Sequence, residues 1–164
     1  MAAAKAKKNA EAAMEGFAAL MKEHPNSVVP KLGLARSAMV VGKSKKALVR
    51  KVLKGIKHLT WSAEEADDFE GAWLLLADIF IADGKHDLAK EPLEKCLKRN
   101  RSSSKAWEYM GHILEKELRY KDAVDFYENA WQFARGSNAF IGYKLAFNYL
   151  MAKRYIDAID VCHD

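Results

Sequence analysis

The sequence predicts an all-α protein made of antiparallel helix pairs stacked in series. Three observations carry this. Small and large apolar residues recur with a spacing of 34 residues, from Trp73 to Trp107 and onward. A fixed period of this length is the mark of a helical repeat array. No stretch of strand length alternates apolar and polar residues. Of the 164 residues 50% are hydrophobic and 30% charged, with only three prolines, which excludes disorder as a whole-chain description.

The period reads residue by residue. Trp73 and Trp107 each follow an alanine, Ala72 and Ala106. Leu76-Ala77 and Met110-Gly111 come next, then Phe80 and Leu114, Ala89 and Ala123, Leu93 and Tyr127, Cys96 and Ala130. With an offset of one residue the frame continues in Leu145-Ala146, Tyr149, Tyr155, Ala158 and Cys162. A weaker form runs upstream through Leu34-Ala35, Ala38, Gly42 and Ala47, and a half-frame survives in Ala13, Phe17, Leu20 and Pro25. Small residues let two helices cross closely, and large ones fill the gaps beside the crossing. One such pair cannot bury its apolar face alone, so neighbours must stack.

In chain order the helices are expected near 8–24, 29–41, 45–58, 63–83, 86–99, 104–117, 120–134, 139–151 and 155–163. Ser62 and Glu65 fit a capping box at the start of the fourth. Gly84 ends that helix, and Gly136-Ser137-Asn138 separates two others. Residues 59–69 read as an insertion between repeats. Pro92 falls inside the fifth helix, where a proline costs about 3 kcal/mol unless the helix starts late or kinks. The division expected is a preceding half-repeat, or an end added for expression, over 1–24; a divergent repeat over 25–58; the insertion; repeats over 70–103 and 104–138; and a truncated repeat over 139–164. An array that opens and closes mid-repeat reads as part of a longer solenoid.

Composition removes several function classes. The runs Trp73 to Ala77 and Ala38 to Val41 fall far short of the ~18–20 apolar residues of a membrane span. The Ala/Lys-rich start has no apolar core of a secretory signal. Two cysteines, Cys96 and Cys162, make no disulfide framework, so a reducing compartment is expected. Residues 1–57 carry 13 Lys/Arg against 3 acidic residues, net +10; residues 60–94 are net −8 and residues 95–164 net +3. Such segregation suits docking to charged partners. Lys43, Lys45, Lys46, Arg50, Lys51, Lys54 and Lys57 read as the solvated face of one helix, with Leu48, Val52, Leu53 and Ile56 opposite. No aromatic residue interleaves with these lysines, so no base-stacking platform for nucleic acid is visible.

The 34-residue pattern resembles the tetratricopeptide repeat, most strongly over Trp107 to Ala130. That resemblance implies a right-handed α-solenoid of antiparallel helix pairs. More specific segments are Trp73-Leu-Leu-Leu-Ala-Asp-Ile79, Cys96-Leu-Lys-Arg-Asn-Arg-Ser102, Lys105-Ala-Trp-Glu-Tyr-Met-Gly111 and Ile141-Gly-Tyr-Lys-Leu-Ala-Phe-Asn-Tyr-Leu150. With Lys153 to His163 they resemble the C-terminal part of the tetratricopeptide repeat protein 21 family, over about residues 25–164. The resemblance implies a noncatalytic interaction scaffold in cilia, a subunit of the retrograde intraflagellar transport complex A, acting in cilium assembly and cargo traffic. It implies protein partners within a hetero-oligomer, located at the cilium or flagellum and its base. Pro92 and the lysine-rich helix depart from the family pattern. The alternative is an unrelated repeat adaptor gripping a peptide in its concave groove.

No enzymatic, cofactor or metal set is expected. Glu108, His112 and Glu115 share a helix face with metal-like spacing, but no second helix bears matching ligands. Cys162 and His163 are adjacent on a helix and point apart, and both cysteines fall on small-residue positions expected in the core. The nine glycines form no phosphate-binding loop. In the resembling fold the first helix of each pair lines the groove, which places Arg36, then Leu74, Asp78 and Ile81, then Lys105, Glu108, His112 and Glu115, then Phe140, Tyr143, Phe147 and Leu150 there. No Lys/Asn set for clamping a peptide carboxylate is expected. Two partner-binding sets stand out. Lys45, Lys46, Arg50 and Lys57 suit an acidic surface. Phe140, Tyr143, Phe147 and Leu150 form an apolar anchor, or else pack under a following repeat.

Overall fold

Alanine-rich, proline-poor segments with small residues at helical spacing favour helix, and a computed structural model has an α-helix for each one expected. It describes residues 2–163. Among these, the helices are α1 (Ala2–Glu23), α2 (Val29–Val41), α3 (Lys46–Lys54), α4 (Ala66–Ala82), α5 (His86–Arg99), α6 (Ser104–Lys116), α7 (Tyr120–Phe133), α8 (Ala139–Met151) and α9 (Tyr155–His163). No strand occurs among them. The chain divides into two compact units at 79/80, within α4.

In the first unit, α1 packs on α2 and α2 on α3. Helix α1 begins at Ala2, earlier than expected, since alanine has the highest helix propensity. Gly33 of α2 lets the Phe17 ring of α1 lie against the backbone, where a Cβ would collide with it. Helix α3 is shorter than the expected 45–58. Lys43–Lys45 and Gly55–His58 are 3₁₀ turns at its ends. Its core stripe is Val49, Leu53 and Ile56, with Leu48 and Val52 only half-buried. Ala47, placed by the frame at a close crossing, is exposed instead. The larger Val49 takes the inward position, because the burial of a branched side chain outweighs that of a methyl.

The expected capping box is half made. The Glu65 N–H donates to Ser62 Oγ at 3.3 Å, but α4 starts at Ala66, three residues later than expected. The Glu65 carboxylate instead accepts from the Ser27 hydroxyl and, at 3.2 Å, from the Val28 N–H. It therefore sits on the N-terminus of α2, where the helix dipole favours an anion.

In the second unit, α5 packs on α6, α6 on α7, α7 on α8 and α8 on α9. Leu114, Ala123, Val124, Tyr127, Ala130, Ile141, Leu145, Tyr149 and Ala158 form one core cluster. Gly111 brings α6 against the Tyr127 ring, and Gly142 brings α8 against Trp131. Helix α5 runs unbroken through the buried Pro92, leaving the Leu88 carbonyl without its N–H donor four residues on. Cys96 is buried, as its frame position predicts, but Cys162 is exposed: α9 buries only Ala158.

Candidate interaction surfaces

In the first unit the basic set follows from helical spacing. Lys46, Arg50 and Lys54 recur every four residues and Lys57 follows three on, so they share one flank beside the buried Val49–Leu53–Ile56 stripe. Lys45, Lys46 and Arg50 are half-buried, while Lys57 is exposed. Lys51 and Lys54 lie in the last turn of α3, where cations meet the negative end of the dipole.

In the second unit, Glu115 on α6 is nearly buried and is the hub of a polar network. Its carboxylate accepts from Lys144 Nζ at 2.7 Å, from Asn148 Nδ2 at 2.9 Å and from the Tyr127 hydroxyl at 3.4 Å. Burial pushes the Glu115 carboxyl up, but the hydrogen bonds from Lys144 and Asn148, with the Lys144 charge, hold it below the usual carboxylate range. Burial and the nearby carboxylates raise the Tyr127 hydroxyl. Burial lowers His112, against the attraction of Glu115 and with the help of Lys144. One turn earlier the buried Glu108 pairs with Lys105 at 3.0 Å.

Sequence reading placed Lys105, Glu108, His112 and Glu115 on this face but missed Lys144 and Asn148. The two stand four residues apart on α8, a Lys/Asn pair of the kind not expected. Both donate to the internal Glu115 carboxylate. Their signal was the polar pair itself in an otherwise apolar helix.

The aromatic set lies on α8. Phe140, Tyr143 and Leu150 are exposed, whereas Phe147 is half-buried and meets the Tyr120 ring edge-on at 6.3 Å. Lys144 Nζ lies 5.9 Å from the Phe140 ring centre. Tyr155, Ile156 and Ile159 extend the exposed apolar residues along α9. The basic and aromatic sets belong to different units. Among the described residues no three His, Cys, Asp or Glu side chains converge as a metal-binding group, and no helix is long and apolar enough to cross a membrane.

The family model described as the tetratricopeptide repeat protein 21 C-terminal ARM domain matches residues 1–164. The chain is 46% identical over 161 residues to human tetratricopeptide repeat protein 21B and 44% identical over 162 residues to human tetratricopeptide repeat protein 21A. It is 38% identical over 130 residues to a Caenorhabditis elegans homolog of protein 21. It spans 98% of itself but only 12% of the human 21B protein. Among solved structures it is similar to MamA, with TM-score 0.75 and 16% identity over 97% of this chain and 82% of that one. It is also similar to YrrB, titled a TPR protein with an unusual peptide-binding site, with TM-score 0.70 and 16% identity over 96% of this chain and 80% of that one. Armadillo and tetratricopeptide arrays are both stacks of helix pairs, and these likenesses support a repeat-type scaffold for protein interaction.

Proposed function

This chain belongs to the tetratricopeptide repeat protein 21 family, and from that membership we propose a noncatalytic scaffold within a subunit of the ciliary retrograde transport complex, serving cilium assembly and cargo traffic. The match of the family model to residues 1–164 carries the reading. Its mechanism is presentation of surface: stacked helix pairs hold side chains in fixed places, and affinity comes from burying them against protein partners. On this reading the site of action is the cilium and its base, and the partners are other subunits of a hetero-oligomer.

Two docking modes are open to such a scaffold. Lys45, Lys46, Arg50 and Lys57 would steer an acidic partner, with strong dependence on salt. Phe140, Tyr143, Phe147 and Leu150 would act as an apolar anchor that salt hardly affects. The test expresses the full-length parent in ciliated cells and recovers its complex at two salt concentrations. Recovery of ciliary transport subunits supports the proposal; recovery of none, from properly folded parent, refutes it. Reversing Lys45, Lys46 and Arg50 to Glu, and separately changing Tyr143 and Phe147 to Ala, tells which mode operates.

A further inference from the structure

Three turns in the second unit have one geometry and three different residues. Gly84, Leu118 and Lys153 follow α4, α6 and α8 with φ of 70°, 60° and 63°. Each turn closes with the same two hydrogen bonds. The Leu118 N–H donates to the Glu115 carbonyl at 3.0 Å and the Arg119 N–H to the Leu114 carbonyl at 2.9 Å, as Gly84 and Lys85, and Lys153 and Arg154, do in theirs. Glycine suits this left-handed position, and a Cβ is strained there. Leucine is unsuited twice over, because its side chain is also 71% exposed. Neither the fold nor solvation accounts for a bulky apolar residue at this point.

The surroundings say what would. Leu118 and the exposed Met151 share a cleft of about 450 Å³ with Arg119, Lys121, Asp122 and Lys153. Asp122 is matched by Arg119 at 2.7 Å. Lys121 and Lys153 are exposed and no acidic side chain of the described residues pairs with them. The cleft therefore offers two apolar contacts under an excess of positive charge.

We propose that this edge, formed by the α6–α7 and α8–α9 turns, docks an extended acidic peptide segment of a partner protein, with a bulky apolar residue on Leu118 and Met151 and flanking carboxylates at Lys121 and Lys153. The inference rests on the interaction-scaffold reading and gives that scaffold a contact on its helix turns, apart from the face carrying Glu115. Apolar contact supplies the anchor and charge complementarity selects the flanks. Nucleic acid fits less well, since two lysines and a single lining ring, Tyr120, already packed edge-on against Phe147, make a poor backbone track.

The test pans a displayed library of random peptides against the 164-residue chain. The expected consensus is a bulky apolar residue with Asp or Glu on both sides. A labelled consensus peptide is then titrated into variants. Leu118→Gly should weaken binding at least about tenfold and should raise the melting temperature by about 2 °C through relief of strain. A purely structural leucine would not move these two readouts in opposite directions. Lys121→Glu with Lys153→Glu should weaken binding and flatten its salt dependence. Selection of no peptide, a consensus without acidic residues, or binding that Leu118→Gly leaves within twofold overturns the proposal. Peptides that respond instead to Tyr143→Ala would leave the scaffold reading standing and remove this edge from it.

Discussion

Replacing Glu115 by Ala tests whether the polar network between α6 and α8 holds the second unit together. The carboxylate is 9% exposed and the Lys144 side chain 17% exposed. Removal leaves the ammonium, the Asn148 amide and the Tyr127 hydroxyl without their shared acceptor. Breaking a buried ion pair from one side costs about 3–5 kcal/mol. Lys144 retains some contact with water, so the lower end, about 3 kcal/mol, is expected. Lys144→Ala should cost less, about 1–2 kcal/mol, since Asn148 and Tyr127 still satisfy the carboxylate. The double variant should fall short of the sum, with a coupling of about 1.5 kcal/mol or more. Urea denaturation followed by far-ultraviolet circular dichroism measures all four corners. The carboxyl is held below its usual value, so its contribution is full above about pH 4.5 and lost as the pH falls through the folded value. Repeating the cycle in acid should therefore shrink the coupling. A coupling below about 0.5 kcal/mol at neutral pH would show that the 2.7 Å contact does not hold α6 to α8, and the reasoning would fail.

Gly111→Ala and Gly16→Ala should move stability in opposite directions. A Cβ at 111 stands 3.0 Å from the fully buried Tyr127 ring, whereas one at 16 meets nothing within 4 Å. Thermal melts should show a loss of about 1 kcal/mol for the first and a gain of up to about 1 kcal/mol for the second. Ala123→Leu adds bulk at a site with no exposure and should cost about 1–3 kcal/mol, read as a lower denaturation midpoint; an unchanged midpoint would show that the α6–α7 pairing is wrong. Burial holds the His112 imidazole below 6.5, so the unfolded chain binds the proton more readily. Stability should fall as the pH drops below about 6.5, and His112→Gln should flatten that slope in stability curves between pH 7 and 5.

The helical repeat was legible in the sequence because its cause is local and periodic. Ala123 and Gly111 had to be small wherever two helices cross, and Trp73 and Trp107 had to recur with the period that stacks one pair on the next. Helix limits followed within a few residues from turn residues such as Gly84 and Gly136. The family was legible for a different reason: long segments such as Ile141 to Leu150 are too specific to arise from periodicity alone. What tertiary structure decided lies in contacts between residues far apart in the chain. Glu65 looked like the second half of a capping box on its own helix, yet it caps α2, 37 residues away in sequence. Lys144 and Asn148 looked like polar interruptions of an apolar helix until Glu115, 29 and 33 residues before them, proved to be their acceptor. Periodicity sets which face of a helix turns inward; it does not set which partner atoms meet there. Cys162 and Ala47 kept the pattern's small size and lost its burial, because burial needs a second helix on the same face. Leu118 shows the same limit from the other side. Its backbone angle comes from closing the turn after α6; the 34-residue period aligns it with Gly84, but the leucine itself carries no sign that it adopts a conformation made for glycine.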